Sequence, residues 1–193
     1  MDSITLKGRI TNQMTDEEFF WFCQENKDLR IERNSHLEII LMSPTNSFSG
    51  KINTEILRQL SNWNFEKKGG EVFDSSTGFT LPDRSILSPD ASWISSEKWN
   101  ALTANEQNSF APTCPEFIIE VRSKSDSIEY LQSKMKNWIA NGTQLAWLID
   151  PIEKTTTIYK TNDLEEKISG FDTKIIAASP IEGFTLNLML IKL

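Results

Sequence analysis

Phe117-Ile118-Ile119-Glu120-Val121 is the most strand-like run in the chain, and together with the residues C-terminal to it, as far as Pro151, it decides the fold. From Asp126 to Asn141 the apolar residues Ile128, Leu131, Met135, Trp138 and Ile139 recur at helical spacing, and Asn141-Gly142 closes that stretch. Leu145 to Ile149 is then a continuous apolar run, ended by Asp150-Pro151. Strand, helix and strand at these lengths make a βαβ unit, and a crossover of that kind sets its two strands parallel. The segment therefore predicts an α/β domain.

Outward from this unit, the pattern places a mixed sheet flanked by helices over residues 1–193, in one domain without repeat, low-complexity tract or linker. Thr15 followed by Asp16, Glu17 and Glu18 reads as a capped helix start. Leu29 to Met42 reads as two strands about a turn at Asn34-Ser35, ended by Ser43-Pro44. Ile52, Ile56, Leu60 and Trp63 predict an amphipathic helix from Lys51 to Phe65, stopped by Gly69-Gly70. Short strands and turns fill Val72 to Leu87, and a further strand runs from Asp90 to Ile94. One or two short helices occupy Glu97 to Gln107, and strands over Thr155 to Tyr159 and around Phe184 to Leu188 complete the set.

Composition narrows the chemistry. With 193 residues, 38% hydrophobic and 24% charged, the chain is long enough for a sizeable core. No stretch approaches the roughly 20 apolar residues of a membrane span. Met1 to Gln13 lacks the apolar centre of a secretory signal. Two cysteines, Cys23 and Cys114, build no disulfide framework, so a reducing cytoplasm is the expected setting. A single histidine, His36, excludes multi-histidine zinc sites and paired-histidine nuclease chemistry within one chain. There is no GxxxxGK[ST] and no GxGxxG. The net charge of −7 weighs against a nucleic-acid partner unless cations are gathered on one face. Carboxylates and lysines are what remain for catalysis.

Two carboxylates stand out by position. Strand alternation puts Phe117, Ile119 and Val121 on one face and Ile118, Glu120 and Arg122 on the other. A carboxylate inside such a strand costs several kcal/mol unless it is paired, hydrogen-bonded or bound to metal. Arg122 is one available partner for it. Asp90 comes after Ser88-Pro89 at the head of another strand, which is also ordinary turn chemistry. Two acids on neighbouring strands can converge on one divalent cation, and Mg²⁺ takes oxygen ligands of this kind while keeping several waters. Phosphodiester hydrolysis uses such a cation, assisted by a nearby lysine.

Ser88-Pro89-Asp90, Pro115-Glu116-Phe117-Ile118-Ile119-Glu120-Val121-Arg122-Ser123, Ser125-Asp126-Ser127, Lys134-Met135 and Trp147-Leu148-Ile149-Asp150-Pro151 resemble, in order and spacing, a large bacterial family of restriction-endonuclease-like proteins. Arg30-Ile31-Glu32-Arg33, Met42-Ser43-Pro44 and Ser75-Ser76-Thr77-Gly78-Phe79 extend the resemblance upstream, to about residues 15–190 in all. That family lies in the PD-(D/E)XK nuclease superfamily. The resemblance implies a restriction-endonuclease-like fold and a DNA endonuclease dependent on Mg²⁺ or Mn²⁺. It assigns Asp90 and Glu120 to the metal. Arg122 stands where the superfamily has lysine, and arginine cannot give up its proton. The resemblance moves that lysine to the next helix, at Lys134, with Lys136 on the other edge of the buried stripe. Glu55 is similar to an acid that many members place on their first core helix, a third metal ligand; Glu32 and Glu38 are weaker candidates. The same analogy implies a homodimer. The alternative is a nuclease-like scaffold or binding protein without activity, which Arg122 and the acidic balance favour. Trp138 and Trp147 fall in buried patterns and read as core.

Overall fold

The computed structural model describes residues 4–8, 11–161 and 165–191. Part of the N-terminal segment Met1 to Gln13, read for a secretory signal, lies outside those residues. In chain order the elements are β1 (Ile4–Leu6), α1 (Asp16–Glu25), β2 (Arg30–Arg33), β3 (Ile39–Met42), α2 (Ser47–Lys67), β4 (Gly70–Asp74), β5 (Phe79–Thr80), β6 (Ile86–Leu87) and β7 (Ala91–Ser95). Then come α3 (Ser96–Asn100), α4 (Ala104–Gln107), β8 (Phe117–Val121), α5 (Ile128–Ala140), β9 (Leu145–Asp150), β10 (Thr155–Lys160), β11 (Glu165–Ser169), β12 (Lys174–Ile176) and β13 (Thr185–Asn187).

The central sheet has six strands in the order β11-β10-β9-β8-β7-β4. It is mixed: β8 and β9 are parallel, as the βαβ pattern requires, and the other neighbours are antiparallel. Alternation along β8 sends Phe117, Ile119 and Val121 to a core shared with Ile52, Ile56 and Leu60 of α2. It sends Ile118 to the opposite core, with Leu131, Met135 and Trp138 of α5. Each sheet face is thus covered by one long helix. Trp138 and Trp147 are fully buried, as their patterns indicate.

Local chemistry sets the helix ends. Thr15 and Glu18 form a reciprocal capping box at the start of α1. Asn46 caps α2 through the Ser49 amide, which starts that helix at Ser47 rather than Lys51. Its end is also more particular than a glycine stop. Lys68 takes the left-handed capping conformation, at φ 54°. Gly70 opens β4 where a Cβ would lie 2.0 Å from the Ile94 carbonyl oxygen, so only glycine fits there. Ser127 caps α5 by accepting from the Tyr130 amide, so that helix begins at Ile128 rather than Asp126, whose carboxylate accepts from the Ser123 amide in the preceding turn.

The structure corrects one expectation. The early strands do not belong to the central sheet but form a second one, ordered β1-β3-β2-β6-β5. Arg33 of β2 pairs with Ile86 of β6, a contact across fifty-odd residues that no local pattern encodes. A small core of Phe19, Ile39 and Ile86 holds this sheet against α1. The buried Arg33 guanidinium is satisfied by the Arg84 and Met14 carbonyls and the Asp16 carboxylate. The chain passes from the second sheet to the central one through Ser88-Pro89-Asp90, between β6 and β7. The site grows around this crossing.

Candidate active site

Strand register decides where Asp90 sits. β7 runs antiparallel to β8 with Ala91 opposite Ile119 and Ser92 opposite Ile118. One step further along that ladder sets Asp90 across from Glu120, and residues directly opposite in an antiparallel pair share a face, with Cβ atoms about 5 Å apart. Both carboxylates line one pocket of about 240 Å³, which Asn53, Ser88 and Lys134 also line. Asp90 Oδ2 accepts from the Val121 amide at 2.8 Å, and Oδ1 accepts from Asn53 Nδ2 at 2.7 Å. Glu120 is 5% exposed. Its Oε1 lies 2.8 Å from Lys134 Nζ and 3.3 Å from Trp138 Nε1.

Lys134 is buried and reaches further still. Its ammonium also lies 3.0 Å from Glu32 Oε1 and 3.2 Å from the Ser88 carbonyl oxygen. Burial by itself would depress its pKa, but the carboxylates of Glu120 and Glu32 more than offset this and hold the group above the ordinary lysine range. Burial pushes Glu120 up to about 7; Lys134 pulls against that shift, while Asp90 and Glu32 add to it. Asp90 is likewise raised by burial, against the pull of the Val121 amide, Lys134, Arg30 and Asn53. The three carboxylates and the ammonium thus form one electrostatically coupled cluster.

The other sequence candidates fall elsewhere. Arg122 does not pair with Glu120: β8 ends at Val121, and the guanidinium turns to Asp150 at 2.8 Å. Lys136 is exposed and faces Glu165. Glu55 is not brought to the cluster. It holds Arg58 and Gln59 on α2, and a residue two positions from Asn53 lies about 200° around the helix, given 3.6 residues per turn. Asn53 is the α2 residue that meets Asp90. Glu38 pairs with Asn34 and Lys7 at the edge of the second sheet. Glu32, by contrast, is 0% exposed and central. Its signal in the sequence is a carboxylate within the strand run Arg30-Ile31-Glu32-Arg33, weaker than Glu120 because its neighbours are themselves charged.

The pocket opens beside a larger groove of about 750 Å³ that shares Arg30, Asn53, Ser88 and Asp90 with it and adds Lys27, Asp28 and Asp74. Arg30 is braced there by Thr45 Oγ1 at 2.9 Å and the Ser75 carbonyl oxygen at 3.3 Å.

Residues 16–189 match the model of a family described as "Uma2: Putative restriction endonuclease". Among solved structures, one described as a "putative nuclease belonging to DUF820" from Anabaena variabilis ATCC 29413 has the same fold, with a TM-score of 0.72 and 20% identity over 92% of this chain and 97% of that one. A DrdV–DNA complex is matched more distantly, with a TM-score of 0.38 and 11% identity over 63% of this chain and 12% of that one. No curated protein matches the chain.

Proposed function

The chain belongs to the restriction-endonuclease family matched over residues 16–189, and from that premise we propose that it is an endonuclease that hydrolyses DNA phosphodiester bonds with a bound Mg²⁺ or Mn²⁺. One observation carries the reading: Asp90 and Glu120 line one pocket in which Lys134 is ion-paired to Glu120.

Among the described residues no three His, Cys, Asp or Glu side chains are gathered as metal ligands, so the fit rests on the two carboxylates of one pocket, Asp90 and Glu120. They offer oxygen, the donor that Mg²⁺ and Mn²⁺ prefer. Among the described residues Asn53 Oδ1 is buried beside Asp90 without a hydrogen-bond partner. Asp90 and Glu120 would hold the ion. When bound, it would neutralise phosphate charge and acidify a water molecule.

The protein's own groups do the rest. Lys134, held as an ammonium between two carboxylates, is a donor and not a proton acceptor. With its three N–H groups taken by Glu120, Glu32 and the Ser88 carbonyl, it acts as a fixed positive charge that stabilises negative charge growing on the phosphate oxygens. Asn53 and the Val121 amide fix both oxygens of Asp90, so that carboxylate needs no rearrangement to bind. Lys27 and Arg30 line the adjoining groove, where a polyanionic strand would lie, with a bound cation needed to offset Asp28, Asp74 and Asp90 in the same lining. Cutting both strands of a duplex calls for two sites, so the reading includes a homodimer.

The test is cleavage of plasmid and linear DNA with Mn²⁺ or Mg²⁺, alone and with EDTA, beside Mn²⁺ titration by calorimetry. We expect EDTA to abolish cleavage and Glu120→Gln to lower it by about a thousandfold or more. Glu120→Gln should also abolish Mn²⁺ binding. Equal trace cleavage by wild type and variant, with no Mn²⁺ binding, would leave a scaffold or binding protein as the reading.

A further inference from the structure

Glu32 belongs to the second sheet, yet it binds two parts of the candidate site at once. Its Oε1 accepts from Lys134 Nζ at 3.0 Å and from the Ser88 amide at 2.9 Å. The Ser88 carbonyl oxygen in turn accepts from Lys134 at 3.2 Å. Glu32, Lys134 and the Ser88 peptide groups thus close a small ring, and Ser88 begins the crossing that carries Asp90. Glu32 is the buried end of the ring, 0% exposed and with no hydrogen-bond partner for its Oε2 among the described residues, whereas Ser88 and Lys134 line the pocket.

A buried carboxylate with a lone unpartnered oxygen is costly. Packing alone would be served better by an apolar side chain. Lys134 already has Glu120 as an ionic partner, so Glu32 is not needed to neutralise it. What Glu32 adds is direction. An ammonium with one carboxylate can swing about it, whereas one held by two carboxylates and a carbonyl cannot.

We propose that Glu32 is a positioning residue: it fixes the Lys134 ammonium against Glu120 and clamps the Ser88–Asp90 crossing, so that Asp90, Glu120 and Lys134 keep one geometry. Glu32 touches neither DNA nor cation; it acts through Lys134 and Ser88. The inference deepens the nuclease reading, but its structural half stands without it.

The test uses Glu32→Gln in the full chain, which keeps an Oε1 acceptor and removes the charge. Amide hydrogen exchange measured by NMR reads the clamp without reference to cleavage. The Ser88 and Val121 amides, the latter donating to Asp90 at 2.8 Å, are expected to exchange about tenfold faster. The β9 amides should be unchanged. Unaltered exchange at Ser88 and Val121, or equal acceleration across the whole central sheet, would overturn the clamp. A lack of cleavage by wild type would sink the nuclease reading while leaving this result intact.

Single-turnover cleavage reads the action through Lys134. Glu32→Gln alone should slow it by about 10–100-fold. Added to Lys134→Met it should cost clearly less than it does alone, because one of the two groups it positions is gone. Losses that multiply would overturn the proposal. Should Glu32→Gln alone fail to fold, Lys134→Met against the double variant decides, since removing both charges leaves no unpaired ion between them.

Discussion

The β8–α5–β9 unit and the second sheet are built in opposite ways. The first is one contiguous segment from Phe117 to Asp150, with β8 and β9 buried throughout and α5 laid over them. The second is gathered from five short strands between Ile4 and Leu87, on a core of three fully buried residues, Phe19, Ile39 and Ile86. The large core supplies Glu120 and Lys134; the small sheet supplies Arg30 and Glu32 and delivers Asp90 at its exit. The candidate site is the seam between a region that local pattern can fold and one that depends on its neighbour. Rigidity comes from one side and completion from the other.

The largest test of that contrast is Trp138→Ala. The indole is fully buried in the α5 core and also donates to Glu120. Its removal should cost about 3–5 kcal/mol, lowering Tm by roughly 10 °C for a chain of this size. Calorimetry should show one transition if the second sheet leans on the βαβ core for its stability. Two resolved transitions, with the upper one unmoved by the substitution, would mean that the sheets are independent and would break the comparison. Trp138→Phe sharpens it by keeping most of the packing and removing only the donor to Glu120.

A smaller effect probes the other side of the seam. Cys23 lies on α1 in the wall of the large groove, and burial pushes its thiol up to about 11, against a weaker pull from Arg33. A raised pKa favours the neutral thiol, so reactivity is suppressed below the folded pKa and recovers as pH rises through it. At pH 8, alkylation by iodoacetamide should be about a hundredfold slower than for an ordinary thiol of pKa near 8.5. The rate should climb about tenfold per pH unit up to roughly pH 10. A profile that levels off near pH 9 would show α1 to be loosely packed against the sheet. The smallest effect expected is that of Glu55→Ala. It removes a pair with Arg58 on α2 worth about 0.2–0.5 kcal/mol, and cleavage should stay within about twofold of wild type. A loss of Mn²⁺ binding in that variant would restore Glu55 to the site and displace Asn53.

Legibility differed from residue to residue. Glu120 announces itself because a charge amid Phe117, Ile118, Ile119 and Val121 breaks a local pattern. Lys134 is reached through the family resemblance and a helical stripe, although the stripe alone does not separate it from Lys136. The structure separates them by burial, with one lysine between two acids and the other in solvent facing Glu165. Glu55 and Asn53 show the reverse. Both sit on the same helix, but a shift of two residues turns a side chain to the far side, and only packing of α2 against β4, β7, β8 and β13 fixes the angle of that helix. Glu32 is the least legible, since its importance lies wholly in partners such as Ser88 and Lys134, 56 and 102 residues away.

By itself the sequence determined the α/β class, the parallel pair β8 and β9, the capping of α1 and the burial of Trp138 and Trp147, because each depends on periodicity and on contacts within a few residues or one crossover. Tertiary structure alone decided that the early strands form a separate sheet, that Arg122 turns to Asp150, that Asn53 rather than Glu55 meets Asp90, and that Glu32 shares Lys134 with Glu120. The physical reason is one of range. Periodicity reports which face of an element is apolar, whereas the partner of a buried polar group is set by where two distant elements come to rest, and a buried charge accepts whichever partner lies within about 3 Å.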